Sequence, residues 1–138
     1  MFSIGQLAKR TGVKVPTIRF YEEIGLIETP HRSEGNQRRY EPDTLDRLTF
    51  IRHGRDLGLS LDAIRDLIEL SRHPERPCGR ADAIVAERLS DVRARIARLQ
   101  RLESELERMG ALCRGQTAGE CYVLRSIGDH DLCEVDHR

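Results

Sequence analysis

The 138-residue chain has no tryptophan, and aromatic residues make up only 4% of it. So lean a core suits a helical protein that completes its burial by association. Long apolar runs are missing too. No stretch approaches the ~20 residues that span a bilayer, and no signal-like apolar core stands near the first methionine. We therefore expect a cytoplasmic protein with no membrane partner. The formal net charge is zero, so the overall balance does not announce nucleic acid. There is no nucleotide-binding glycine motif, internal repeat or nucleophile–base pair, and a catalytic role is not expected. Cysteine is scarce, with four in all. In a reducing cytosol these are ligands, redox sensors or core residues rather than disulfides.

What is present reads as a series of helices. Ser3 is suited to cap a short helix with Ile4, Leu7 and Ala8 on one face, closed by Gly12. Pro16 opens a second that turns Ile18, Tyr21 and Ile24 inward and ends at Gly25. Two short helices about a tight turn make a helix-turn-helix. The turn-rich segment 29–36, followed by Gln37-Arg38-Arg39-Tyr40, reads as a polar hairpin, or wing. Between Lys9 and Arg39 seven Lys/Arg face four Glu, a local basic bias. Pro42 opens a third helix with Leu45, Leu48, Phe50 and Ile51 as its apolar residues, and Ser60 caps a fourth with Leu61, Ile64, Leu67 and Ile68. Segment 73–77 breaks the chain before a long helix over 80–112.

Along that helix Val85, Leu89, Val92, Ile96 and Leu99 alternate four and three apart, a coiled-coil seam. The seam resumes at Leu102, Leu106, Met109 and Cys113 after a three-residue phase shift. At ~1.5 Å per residue the rod is roughly 50 Å long, with Cys78 and Cys113 at opposite ends. One chain can hardly bring both to one ion, but an antiparallel partner can. The spacing therefore predicts a homodimer with a thiolate site at each end, two per dimer, built from both subunits. Cys121 follows Cys113 across a polar loop, and a polar tail carries His130, Cys133 and His137.

Several segments together resemble the MerR family of bacterial transcription regulators: Thr17-Ile18-Arg19-Phe20-Tyr21-Glu22, Gly25-Leu26, Arg32-Ser33-Glu34-Gly35-Asn36 through Arg39-Tyr40, and Leu48-Thr49-Phe50-Ile51-Arg52. The resemblance covers essentially the whole chain. It implies a mainly α fold, with a winged helix-turn-helix DNA-binding domain (1–75), an antiparallel coiled-coil dimerisation helix (76–112), and a C-terminal metal-binding loop, short helix and polar tail (113–138). Two cysteines flanking a short loop, with a third before the dimerisation helix, are similar to the branch that senses divalent zinc, cadmium, lead or mercury. Sensors of the copper(I) type usually lack that third cysteine. Such regulators distort an overlong promoter spacer so that RNA polymerase can engage it, and the genes expected are those of metal export or detoxification.

On this reading the metal ligands are Cys113, Cys121 and the partner's Cys78, with His130, Cys133 and His137 as possible tail ligands. Thiolates suit soft or borderline cations, and a third thiolate favours a dication. Cys78 stands at a helix N-terminus beside Arg76 and Arg80, a setting that suits an anionic ligand. A winged helix-turn-helix sets its second helix in the major groove of double-stranded DNA. Lys14, Thr17 and Arg19 are the expected contacts there, with the Tyr21 hydroxyl on a phosphate and Arg32, Arg38, Arg39 and Tyr40 holding the backbone from the wing. The competing readings are a copper(I)-type sensor, a thiol-redox regulator using Cys113 and Cys121, and a metal buffer that never touches DNA.

Overall fold

A computed structural model describes residues 1–112 and 117–132 of the chain. They fall into two compact units, one over Met1–Ile84 and the other within Val85–Arg138.

The first unit opens with α1 (Ile4–Thr11), held by a reciprocal capping box: Ser3 Oγ accepts from the Gln6 amide, and Gln6 Oε1 accepts from the Ser3 amide. Gly12 ends it at φ 75°, a left-handed turn that favours glycine. α2 (Val15–Glu23) follows at once, with Pro16 in its first turn. The wing is a hairpin of β1 (His31–Arg32) and β2 (Arg38–Arg39), antiparallel, pairing His31 with Arg39 and Arg32 with Arg38. Asn36 takes a positive φ of 59° in its turn, where its amide donates to the Ser33 carbonyl at 2.8 Å. A single antiparallel bridge between Phe2 and Tyr40 ties the start of the chain to the end of the wing.

α3 (Pro42–Asp56) and α4 (Leu61–Ser71) close the unit. Leu7, Ile18, Tyr40, Leu48, Ile51 and Ile64 are fully buried at its centre. Helical geometry places Thr44, Leu48 and Ile51 on one inward face. Phe50, expected among the apolar residues, lies off that face and is exposed. At Gly54 α3 comes so close to α4 that an added Cβ would stand 2.9 Å from Ile64 Cγ1. The first unit extends beyond residue 75 because Ile84, in the long helix, is buried in the same core.

α5 (Gly79–Leu112) is unbroken, as the seam predicted. Much of that seam is exposed: Val85 is 61% and Leu99 62% accessible, with Leu89, Ile96 and Leu106 also open. In the second unit α6 (Tyr122–Gly128) packs on the last turns of α5, between two short 3-10 turns at Ala118–Glu120 and His130–Leu132. Met109 and Glu105 are buried there, whereas Leu106, two turns of seam away from Leu99, remains open. Among the described residues, no helix is long and apolar enough to cross a membrane.

Candidate DNA interface and metal-binding cysteines

Lys14 stands at the N-cap of α2 and Thr17 in its first turn, with Arg19 exposed two residues on. These side chains share the N-terminal half of a helix whose Ile18 and Tyr21 point into the core. Phe20, beside Arg19, is also open to solvent. In the wing, Arg32 is exposed and Arg38 and Arg39 are half-buried. Two of these guanidinium groups lean on their own hairpin. Arg32 Nη1 donates to the Asn36 carbonyl at 3.3 Å, and Arg39 Nη2 reaches Gln37 Oε1 at 3.5 Å.

Both tyrosines of this unit are buried. Tyr40 is only 1% exposed, and its hydroxyl donates to Glu22 Oε2 at 2.9 Å. Its ring belongs to the core, at the end of the wing. Burial first, and then the Glu22 carboxylate, raises its pKa. Tyr21 is 8% exposed, so its ring fills the core, while its hydroxyl makes no hydrogen bond among the described residues.

Two supporting residues escaped the sequence reading. Glu22 accepts from Tyr40 and lies 3.8 Å from Arg38 Nη1, so one carboxylate of α2 holds the base of the wing. Arg52 of α3 donates to the Gly12 carbonyl at 2.7 Å and fixes the turn between α1 and α2. No local pattern could reveal either, because Glu22 and Tyr40 are 18 residues apart and Arg52 and Gly12 are 40.

Cys78 is exposed immediately before α5, with its Sγ 3.9 Å from Asp82 Oδ2. Arg80, expected beside it, instead pairs with Asp66 of α4 at 3.0 Å. Cys121 is half-buried and caps α6, its carbonyl accepting from the Arg125 amide at 3.2 Å. Cys113, Cys133 and His137 lie outside the described residues. His130 is half-buried at the start of the last 3-10 turn and lines an apolar cleft of about 350 Å³ with Met109, Val123 and Ile127. Among the described residues no three His, Cys, Asp or Glu side chains of one chain converge as a metal cage. His31 and His73 are taken up by carboxylates, Glu41 at 3.1 Å for the first and Glu69 and Glu75 at 3.2 and 3.5 Å for the second.

The second unit holds a further missed feature. Arg108 of α5 faces buried Glu105 through its Nε at 3.3 Å and through Nη2. Its Nη1 donates to the Tyr122 hydroxyl at 2.6 Å, and Nη2 donates to the Leu132 carbonyl at 2.7 Å. Its guanidinium carbon also lies 5.3 Å from the Tyr122 ring centroid.

A helix-turn-helix with an arginine-bearing wing, continued by a long helix with an open apolar stripe, defines a helical DNA-binding regulator. Comparison with known proteins makes this specific. The profile of the MerR HTH family regulatory proteins matches residues 2–71, and that of the MerR DNA-binding region matches residues 45–109. ZntR of Escherichia coli (strain K12), an HTH-type transcriptional regulator, is 43% identical over 123 residues, which cover 88% of this chain and 87% of ZntR. The crystal structure of the transcription regulator PbrR691 from Ralstonia metallidurans CH34 in complex with lead(II) superposes with a TM-score of 0.78 at 42% identity, covering 92% of this chain and 99% of PbrR691. That of the dual-function transcriptional regulator MerR from Bacillus megaterium MB1 in complex with mercury(II) gives 0.68 at 29% identity, covering 92% and 99%. The chain belongs to the MerR HTH family.

Proposed function

We propose that this protein is a metal-responsive transcriptional regulator that binds promoter DNA in the cytoplasm as a homodimer. The observation that carries the reading is the exposed apolar stripe of α5, on the helix that separates Cys78 from Cys121. Each buried large apolar side chain contributes roughly 1.5–3 kcal/mol, so a stripe of this length favours pairing with a second copy. In an antiparallel pair, Cys78 of the partner subunit meets Cys113 and Cys121 at each end. Relatives whose crystal structures hold lead(II) and mercury(II) support a thiolate site for a soft divalent cation, with zinc and cadmium in the same class.

In the DNA-bound dimer, α2 of each subunit lies in a major groove, with Lys14, Thr17 and Arg19 at the bases and Arg32, Arg38 and Arg39 on the flanking backbone. The Tyr21 hydroxyl donates to a phosphate. Occupied thiolate sites order the loop after α5 and shift the DNA-binding domains through α4. That shift distorts an overlong promoter spacer and lets RNA polymerase engage both elements.

The test is an anaerobic cadmium titration of the reduced protein, following the thiolate-to-metal absorption band. Saturation at two ions per dimer, with a weaker band in Cys78→Ser, supports the divalent three-thiolate site. If Cys78→Ser titrates like wild type, Cys78 is not a ligand and a copper(I)-type or redox sensor takes its place.

A further inference from the structure

We infer that Arg108 is a positioning residue for the metal-binding cysteine Cys121, fastening the segment that carries it to α5 before any ion arrives. The inference rests on the role proposed above for Cys121. It goes further by assigning a task to residues that hold no metal.

The geometry is a two-point clamp. Through one planar guanidinium, Arg108 reaches Tyr122, the residue directly after Cys121, and Leu132, at the far end of the described tail. The Tyr122 hydroxyl itself reaches the Leu132 carbonyl at 3.4 Å, which closes the triangle. Glu105, only 3% exposed, faces the same guanidinium from one turn earlier on α5 and fixes its orientation. A buried carboxylate on the apolar side of a helix is costly unless paired, and Arg108 supplies such a pairing. The apolar support alone is slight: α6 is seven residues long and leaves Leu124 and Ile127 exposed. A helix that short is marginal by itself. The polar clamp therefore sets where α6 begins, and Cys121 is its N-cap.

A ligand held in place before binding saves the cation the cost of ordering it. Loss of the clamp should weaken metal binding without changing what binds. Lysine at 108 keeps the charge beside Glu105 but lacks the fork that reaches two partners. Phenylalanine at 122 keeps the ring and removes the hydroxyl's contacts with Arg108 and the Leu132 carbonyl, while Arg108 still reaches Leu132.

The experiment is an anaerobic cadmium competition titration of wild type, Arg108→Lys and Tyr122→Phe, with dimer mass and helicity measured alongside. We expect affinity to fall roughly tenfold in Arg108→Lys and about threefold in Tyr122→Phe. Stoichiometry, band position, dimer mass and helicity should stay those of wild type. Affinities within twofold of wild type in both variants would overturn the inference. So would a loss confined to Arg108→Lys that comes with lost helicity or dimer mass, since that is a structural defect. A wild type that shows no thiolate band refutes instead the metal-sensing role on which the inference rests.

Discussion

The Tyr40 hydroxyl donates to Glu22 at 2.9 Å from inside the core, so the wing and α2 are one mechanical piece. Two consequences follow for Tyr40→Phe. Stability should fall by about 1 kcal/mol, the usual net value of such a bond. DNA affinity should fall as well, because Arg38 shares the same carboxylate at 3.8 Å. Chemical denaturation and an operator titration on the same variant check both, and unchanged affinity would uncouple wing from helix.

The same bond predicts an alkaline limit. Tyr40 holds its proton more tightly in the folded chain, chiefly through burial and then through Glu22, so its pKa is raised above the ordinary 10.0. Its contribution to stability is fully present below that ordinary value and is lost as pH rises through the folded-state value. Melting temperatures should drop above about pH 10, and the drop should be shallower in Tyr40→Phe. Parallel curves for the two proteins would count against it.

Arg19 is the exposed cation nearest the middle of α2. Arg19→Ala should weaken operator binding about tenfold or more, the range of a good side-chain contact to a base or phosphate. Stability should hardly change, because the side chain is solvated. Tyr21→Phe separates two roles: packing should survive while DNA affinity falls. If it binds DNA as wild type does, Tyr21 serves the core alone.

Leu99 is 62% exposed on α5. Leu99→Glu should break the dimer, and sedimentation should report a smaller species at micromolar concentration. The change would place a carboxylate on an apolar seam, where its desolvation outweighs any remaining packing. A dimer of unchanged affinity would mean that the stripe faces something else.

At Gly54 an added methyl meets Ile64 Cγ1 at 2.9 Å and Cδ1 at 3.0 Å. Gly54→Ala should destabilise the first unit by about 1–3 kcal/mol through overpacking between α3 and α4. Equilibrium denaturation measures this directly.

The sequence was most legible where signals are local. Ser3 and Ser60 cap their helices as their residue types suggest, and Gly12 ends α1 in the left-handed turn only glycine enters freely. The heptad spacing marked α5 because its period persists for several turns. Legibility was lower where an aromatic residue can serve two masters. Tyr40 sits beside two arginines in sequence, yet its side chain alternates inward past β2 and joins the core. Phe50 fits an apolar list but not the inward face of α3. The Glu105–Arg108 pair reads as an ordinary surface i, i+3 pair until the tail folds over it and buries the carboxylate.

The measurement that reaches the central claim most directly mixes two inactive dimers. Cys78→Ser retains Cys113 and Cys121, and Cys121→Ser retains Cys78. If the site is shared between subunits, neither homodimer shows the full cadmium–thiolate band. A mixed dimer then rebuilds one complete site, and the band returns at one ion per mixed dimer. If all ligands come from one chain, mixing restores nothing, and the intersubunit site is wrong.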